Sequence, residues 1–285
     1  MKINEVSEVI MNVSKEMTNM EYHMNRTHKS SSNFTKLLFN RGDHFFKNEF
    51  PDFLKLVCDE GSLFHTMLGE PEMFDEEYSV TDTKKWIFED NKPVPNPEFM
   101  KERKRQARFK KTLVTTADVE KMRLKVENCY KKPKLRRLLK DCIPERSFFG
   151  EIDGFKVKVR PDLICFDTDE NGDVTTVRII DIKTSGELTT VMNASLSCFK
   201  YGYWVPNYMY QTVVSNLLKE AGVDIPVTFD YLFVCRKKSN HKCGLFKSTD
   251  KIYELGKADF ERSLNDFKIL ETGDFGILTE ESLDE

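Results

Sequence analysis

The apolar positions of this chain change period once, near residue 144, from helical spacing to alternation. Residues 1–30 are polar, Met-rich and weakly periodic, which predicts helix. Ser30-Ser31-Ser32-Asn33 offers N-cap side chains ahead of Phe34, Leu37 and Leu38, whose i, i+3, i+4 spacing predicts a short amphipathic helix. Leu63, Phe64, Met67 and Leu68 predict a second helix over 61–68, ended by Gly69 and Pro71, with His65 off the centre of the apolar stripe. Residues 72–100, acidic and then Pro-rich, read as loop, and helices are expected over 98–111, 116–130 and 133–140. From Pro144 the alternation predicts strands over 148–152, 155–166 and 174–183, with Asp153-Gly154 and Asp169-Glu170-Asn171-Gly172 as hairpin turns. A helix over 207–220, a strand over 227–235 and a helix over 258–270 carrying Phe260, Leu264 and Phe267 complete the pattern.

That order is α/β with one mixed sheet, to which the N-terminal excursion is attached. The chain divides into an N-terminal helical region (1–58), a core helix with loop and basic helical segment (59–140), the sheet with its flanking helices (141–270) and an acidic tail (271–285), all within a single domain. Of 285 residues 39% are hydrophobic and 32% charged, which excludes a wholly disordered chain. No window holds 18 consecutive apolar residues and the opening MKINEVSEVI lacks a signal-peptide core, so a cytoplasmic protein without membrane partners is expected. The seven cysteines form no C-x-x-C pair, which argues against a zinc knuckle and for reduced, mostly buried thiols.

Net charge is −3, but it is unevenly spread. Residues 101–140 hold 16 Lys and Arg against Glu102, Asp118, Glu120 and Glu127, whereas the last fifteen residues hold six acids and no base. Such a basic block is either a polyanion-binding surface or a charged helical arm that keeps the protein soluble.

The chemistry concentrates in Arg160-Pro161-Asp162 and Ile179-Ile180-Asp181-Ile182-Lys183. Alternation puts Asp181 and Lys183 on one strand face, about 6.6–6.8 Å apart, and Asp162 can approach the same point from the neighbouring strand. Two converging carboxylates repel unless a cation lies between them, and oxygen ligation suits Mg²⁺ or Mn²⁺ better than zinc. A lysine there can orient the attacking water, or accept its proton if its pKa is depressed. D-x-K alone is uninformative, since Asp82-Thr83-Lys84, Asp90-Asn91-Lys92 and Asp266-Phe267-Lys268 also carry it. The competing reading is a strand-end ion pair between Asp181 and Lys183.

Pro161-Asp162, eighteen residues, then Asp181-Ile182-Lys183 resembles the PD-(D/E)XK nuclease signature. The stretches 30–38, 61–72, 159–164 and 180–184 resemble the RecE (exonuclease VIII) type within the RecB-like branch, over about residues 22–275. This resemblance implies a restriction-endonuclease-like core: a central mixed sheet flanked by helices, with helical N-terminal and basic insertions. It implies that His65, Asp162 and Asp181, with the backbone carbonyl of Ile182, ligate Mg²⁺, for which Mn²⁺ can substitute. Lys183 would position or activate water, and Glu145 would assist a second metal or hold Lys183. Gln211 and Arg160 would lie near DNA, and Lys101, Arg103, Lys104, Arg105, Arg108, Lys110 and Lys111 would track phosphates without reading sequence. The chain departs from the family where a tyrosine follows the glutamine by four residues, because Gln211 is followed by Ser215.

The implied activity is Mg²⁺-dependent exonucleolytic hydrolysis of linear double-stranded DNA, 5′ to 3′, in phage or prophage recombination. A RecT-like annealing protein and a homo-oligomeric ring are the implied partners, in the host cytoplasm. The alternatives are an endonuclease, or a non-catalytic DNA-end-binding protein, on the same fold. An iron–sulfur cluster is not expected, because clustered cysteines are missing.

Overall fold

The computed structural model describes residues 1–39, 52–186, 189–236 and 242–272. Its main sheet has five strands in the spatial order Cys243–Lys247, Val227–Cys235, Val174–Ser185, Leu163–Thr168 and Ile143–Pro144. Val174–Ser185 and Val227–Cys235 run parallel and the other neighbours antiparallel, so the sheet is mixed. The parallel pair needs a long crossover, supplied by the helices Val191–Tyr201 and Trp204–Glu220.

The expected strand over 155–166 is two strands in two sheets. Phe155–Val159 pairs with Phe148–Ile152 and with Lys29–Ser30, whereas Leu163–Thr168 joins the main sheet. The break falls at Arg160-Pro161-Asp162, where Pro161 has no N–H to give to a ladder. The single-sheet meander is therefore corrected to a three-stranded and a five-stranded sheet. The Asp153-Gly154 turn forms as expected, both residues at positive φ (52° and 73°).

Helix ends are longer than periodicity indicates, because periodicity reports only the buried stripe. The helix expected over 61–68 is Asp52–Gly69, and that over 258–270 is Asp250–Thr272. Residues 72–100 are not loop: Tyr78–Thr81 pairs with Thr112–Thr115, and Trp86–Glu89 forms a hairpin with Lys92–Pro95. Pro93 and Pro95 are tolerated because this ribbon has only two strands, each with a free edge. Of the acidic tail, residues 273–285 lie outside the described residues. Among those described, no helix is long and apolar enough to cross a membrane.

Both faces of the main sheet are covered, which explains why its central strands are apolar almost throughout. Val177, Ile179, Phe229, Tyr231 and Phe233 bury against the Trp204–Glu220 helix and against Phe260, Leu264 and Phe267. Ile180, Ile182, Leu232 and Val234 bury on the other face with Leu63, Phe64 and Leu68 of the His65 helix and with Met122 and Leu138 of the basic segment. The basic segment is thus part of the core's cover. The same alternation that builds these two cores carries Asp181 and Lys183 to the first face, at the end of the strand.

One polar tie crosses the sheet's centre. The Arg178 guanidinium donates to Asp167 on one neighbouring strand and to Asp230 on the other, the latter at 2.5 Å and only 1% exposed. Removing the cation leaves a buried, uncompensated carboxylate, which is the expensive way to break an ion pair. Arg178→Leu is expected to lower unfolding stability by about 3 kcal/mol, read by urea denaturation, and Arg178→Leu with Asp230→Asn to recover part of that loss.

Candidate active site

The Asp52–Gly69 helix brings His65 to the end of the main sheet. Gly61 permits the approach: a Cβ there would lie 3.3 Å from Thr184 Oγ1 on the strand that carries Asp181. One turn along, the Thr66 hydroxyl donates to Glu77 at 2.9 Å, which fixes the helix's rotation. Near its middle Glu60 takes Lys85 and Lys121 at 3.1 and 2.7 Å, and Asp59 takes Arg103 at 3.0 Å.

Asp162 follows the break at Pro161. Ile180 faces Leu163 across the ladder, so continuing that register would set Asp162 opposite Asp181. The Asp162 carboxylate instead accepts the backbone N–H of Ile182 at 2.5 Å, ending the ladder with a side chain. Its other oxygen lies 3.4 Å from His65 Nδ1. Glu145 completes the group from a left-handed backbone conformation (φ 46°), its N–H bonded to the Asp162 carbonyl at 3.2 Å. A non-glycine residue held there costs roughly 1–3 kcal/mol, a strain that collects at functional sites.

Among the described residues, His65, Glu145 and Asp162 each offer one ligand atom, and these atoms lie within 4.8 Å of one another. One imidazole and two carboxylates suit a divalent cation. The electrostatics fit as well. Burial, reinforced by the charge on Asp162, pushes the Glu145 carboxyl up to about 7, although Arg160 Nε lies 2.6 Å away and opposes it. Burial pushes Asp181 up to about 6, with Lys183 opposing and Asp162 adding. Burial also acts to raise Asp162, but His65, Lys183 and the Ile182 N–H outweigh it and hold this carboxyl below its usual range. At His65 burial disfavours the imidazolium, yet Asp162 and Glu145 raise its pKa above the ordinary value.

The expected roles are distributed differently from the sequence reading. Asp181, only 4% exposed, turns its Oδ2 to Lys183 Nζ at 2.6 Å, so the strand-end ion pair is present beside the ligand cluster. Ile182 meets Asp162 through its N–H. Lys183 has a raised pKa: burial works against its charge, but Asp181 and Asp162 prevail. With its pKa raised, Lys183 suits the orienting role. Glu145 holds Arg160 and not Lys183.

His65, Glu145, Asp162 and Arg160 line a cleft of about 710 Å³. Lys110 also lines it, from a left-handed turn (φ 60°) that closes the Pro97–Ala107 helix. Lys101, Lys104 and Arg108 are exposed on that helix and its end. Of the remaining basic candidates, Arg103 is held by Asp59 in a part-buried pair, Arg105 is exposed and pairs with Glu102 on the helix surface, and Lys111 donates to the Asp75 carbonyl. Gln211 is not among the cleft residues; its amide is spent on Asn207 Oδ1 at 2.7 Å and it borders a different depression. One position earlier on that helix, Tyr210 lines the cleft.

Sequence reasoning passed over Tyr22, which lines the cleft and over whose ring the Arg160 guanidinium lies at 5.7 Å. No local pattern marks it. Ser30, Ser31 and Ser32, read as helix caps, also line the cleft, and the Ser30 backbone N–H donates to Asn33 Oδ1 at 2.9 Å. His23, assigned no role, borders the same space, His28 packs edge-on against Phe149, and His44 and His241 lie outside the described residues. Phe148 and Trp204 are buried, and Tyr201 is exposed.

No curated protein matches this chain in sequence. A crystal structure from Eubacterium rectale, of a protein provisionally named an exonuclease, is similar with a TM-score of 0.56 at 12% identity, over 91% of this chain and 88% of its own. That likeness speaks for the fold. Residues 55–276 match the family described as a PDDEXK-like domain of unknown function (DUF3799). With the match spanning well over half its length, the chain belongs to this PDDEXK-like family, within the PD-(D/E)XK nuclease superfamily.

Proposed function

We propose that this protein is a divalent-metal-dependent DNA exonuclease that hydrolyses linear duplex from its ends, 5′ to 3′. The observation that carries the reading is the convergence of His65, Glu145 and Asp162 in a cleft, beside the buried Asp181–Lys183 pair. His65, Glu145 and Asp162 would hold the cation, with Asp181 next to them. A bound Mg²⁺ or Mn²⁺ supplies Lewis acidity toward a phosphoryl oxygen. The Lys183 ammonium donates to the attacking water or to the developing negative charge. Arg160, held by Glu145 at the cleft wall, meets the phosphate backbone. Generation of 3′ single strands for recombination, an annealing partner of the RecT kind, a ring-shaped oligomer and a cytoplasmic setting rest on the resemblance to the RecE type. The name of the Eubacterium rectale protein is in keeping with end-directed cleavage.

Linear duplex labelled separately at its 5′ and 3′ termini, beside a covalently closed circle, tests the reading. Loss of 5′ label with the circle intact supports it; cutting of the circle makes the enzyme an endonuclease. Asp162→Ala and Asp181→Ala are each expected to slow cleavage by at least about a thousandfold while DNA binding persists in gel shift.

The raised carboxyls give metal binding a pH dependence. Glu145 and Asp181, pushed up to about 7 and about 6, must lose protons before they can ligate or balance a cation. Affinity for Mn²⁺ should therefore rise as pH increases from 5.5 to 7.5, with proton release on binding. Calorimetry in two buffers of different ionisation enthalpy reads both, and Glu145→Gln should flatten the dependence near pH 7.

The basic surface yields a separate expectation. A duplex carries one charge per ~1.7 Å, and the salt slope falls by about 0.9 for every phosphate that the protein ceases to neutralise. Neutralising Lys101, Lys104, Arg108 and Lys110 together should lower the magnitude of the slope of log K against log salt by about 3.6. Arg103→Ala should instead lower stability, since Arg103 is committed to Asp59.

A further inference from the structure

The Lys183 side chain ends between two partners. Its Nζ lies 2.6 Å from Asp181 Oδ2 and 4.8 Å from the ring centroid of Tyr203. A lysine head is a compact charge on a flexible four-carbon stem, and one carboxylate fixes its direction poorly. An aromatic face closes a second side, because the ring quadrupole attracts a cation placed over it.

The surrounding chain fixes the place of that ring. The Val191–Tyr201 helix stops at Gly202 in the left-handed region (φ 66°), and Tyr203 immediately precedes the Trp204–Glu220 helix. Only glycine fits the corner, since a Cβ would fall 2.5 Å from the Phe39 ring. The Tyr231 hydroxyl donates to the Tyr203 carbonyl at 3.0 Å. The Tyr203 ring stacks on Tyr201 at 5.5 Å and packs 6.4 Å from both Tyr231 and Phe233. Tyr231 and Phe233 are the register partners of Asp181 and Lys183 on the adjoining parallel strand. Tyr203 is thus seated on the residues that flank the ion pair, and its own backbone is tied to one of them.

We infer that Tyr203 is a positioning residue for Lys183, holding the ammonium against Asp181 through the face of its ring; its catalytic consequence rests on the nuclease reading above. The hydroxyl is not needed for this role. Tyr203→Phe keeps the face, whereas Tyr203→Leu keeps an apolar side chain and loses it.

The test has two independent readouts. In metal-free protein carrying [13Cε]-lysine, the Lys183 ε-methylene signal, identified by its loss in Lys183→Arg, should show an upfield ring-current shift. That shift should persist in Tyr203→Phe and vanish in Tyr203→Leu. In single-turnover cleavage of linear duplex with Mg²⁺, Tyr203→Leu should lose about tenfold in rate with DNA affinity unchanged, and Tyr203→Phe should stay within about threefold of wild type. In a Lys183→Ala background, Tyr203→Leu should add nothing, because the two side chains act as one unit. Losses that multiply, a Phe variant as slow as the Leu variant, or a ring-current shift that survives in Tyr203→Leu would each overturn the assignment. Wild-type protein that cleaves no DNA with Mg²⁺ or Mn²⁺ would remove the nuclease reading and the catalytic role with it, and the lysine signal would still decide whether the ring holds Lys183.

Discussion

The bond between the Asp162 carboxylate and the Ile182 N–H is the interaction on which the site depends. Pro161 stops the ladder between two neighbouring strands, and a sheet that stops leaves backbone donors without partners. Asp162 fills one of them with its side chain. The consequence is electrostatic as much as geometric, since a carboxylate fixed there is surrounded by Asp181, Glu145, His65 and Lys183 in a poorly solvated corner. Were the ladder continuous, a backbone carbonyl would occupy that position and no acidic centre would form.

Charges around that centre are arranged in pairs, each with one member fixed by structure. Arg160 answers Glu145, Lys183 answers Asp181, and His65 answers Asp162. Every carboxylate therefore has a local cation before any ion arrives. On the proposed nuclease reading, a divalent cation bound there would compete with these side chains for the same oxygens, and the surplus positive charge would face a polyanionic substrate. That would give the three cations a purpose that simple neutralisation of the core does not require, since burying apolar residues of similar volume would serve stability equally well or better.

Much of the framework could be read directly. Strands at 148–152 and 227–235 and the helix at 116–130 fall where the sequence pattern puts them, because the apolar residues of each are buried in the core. The break at Arg160-Pro161-Asp162 is visible as a proline, but its meaning, a change of sheet, depends on Lys29–Ser30 arriving from far earlier in the chain to pair with Phe155–Val159. Glu145 and Asp162 come from turns whose approach no local pattern encodes. The basic block misleads most: as composition it is one patch, yet Lys121 is buried against Glu60 and Lys125 reaches a carbonyl in the strand Val227–Cys235. Residue counts cannot distinguish a lysine that faces water from one that fastens a helix to a sheet.

The left-handed backbone at Glu145 has a consequence for how this protein responds to change. Glycine adopts that conformation without steric strain, but at position 145 it would leave the largely buried Arg160 guanidinium without its carboxylate, the costly way to break an ion pair. The unfavourable turn is thus held in place by the charge it presents, and heat tolerance and turnover would both favour keeping the acid.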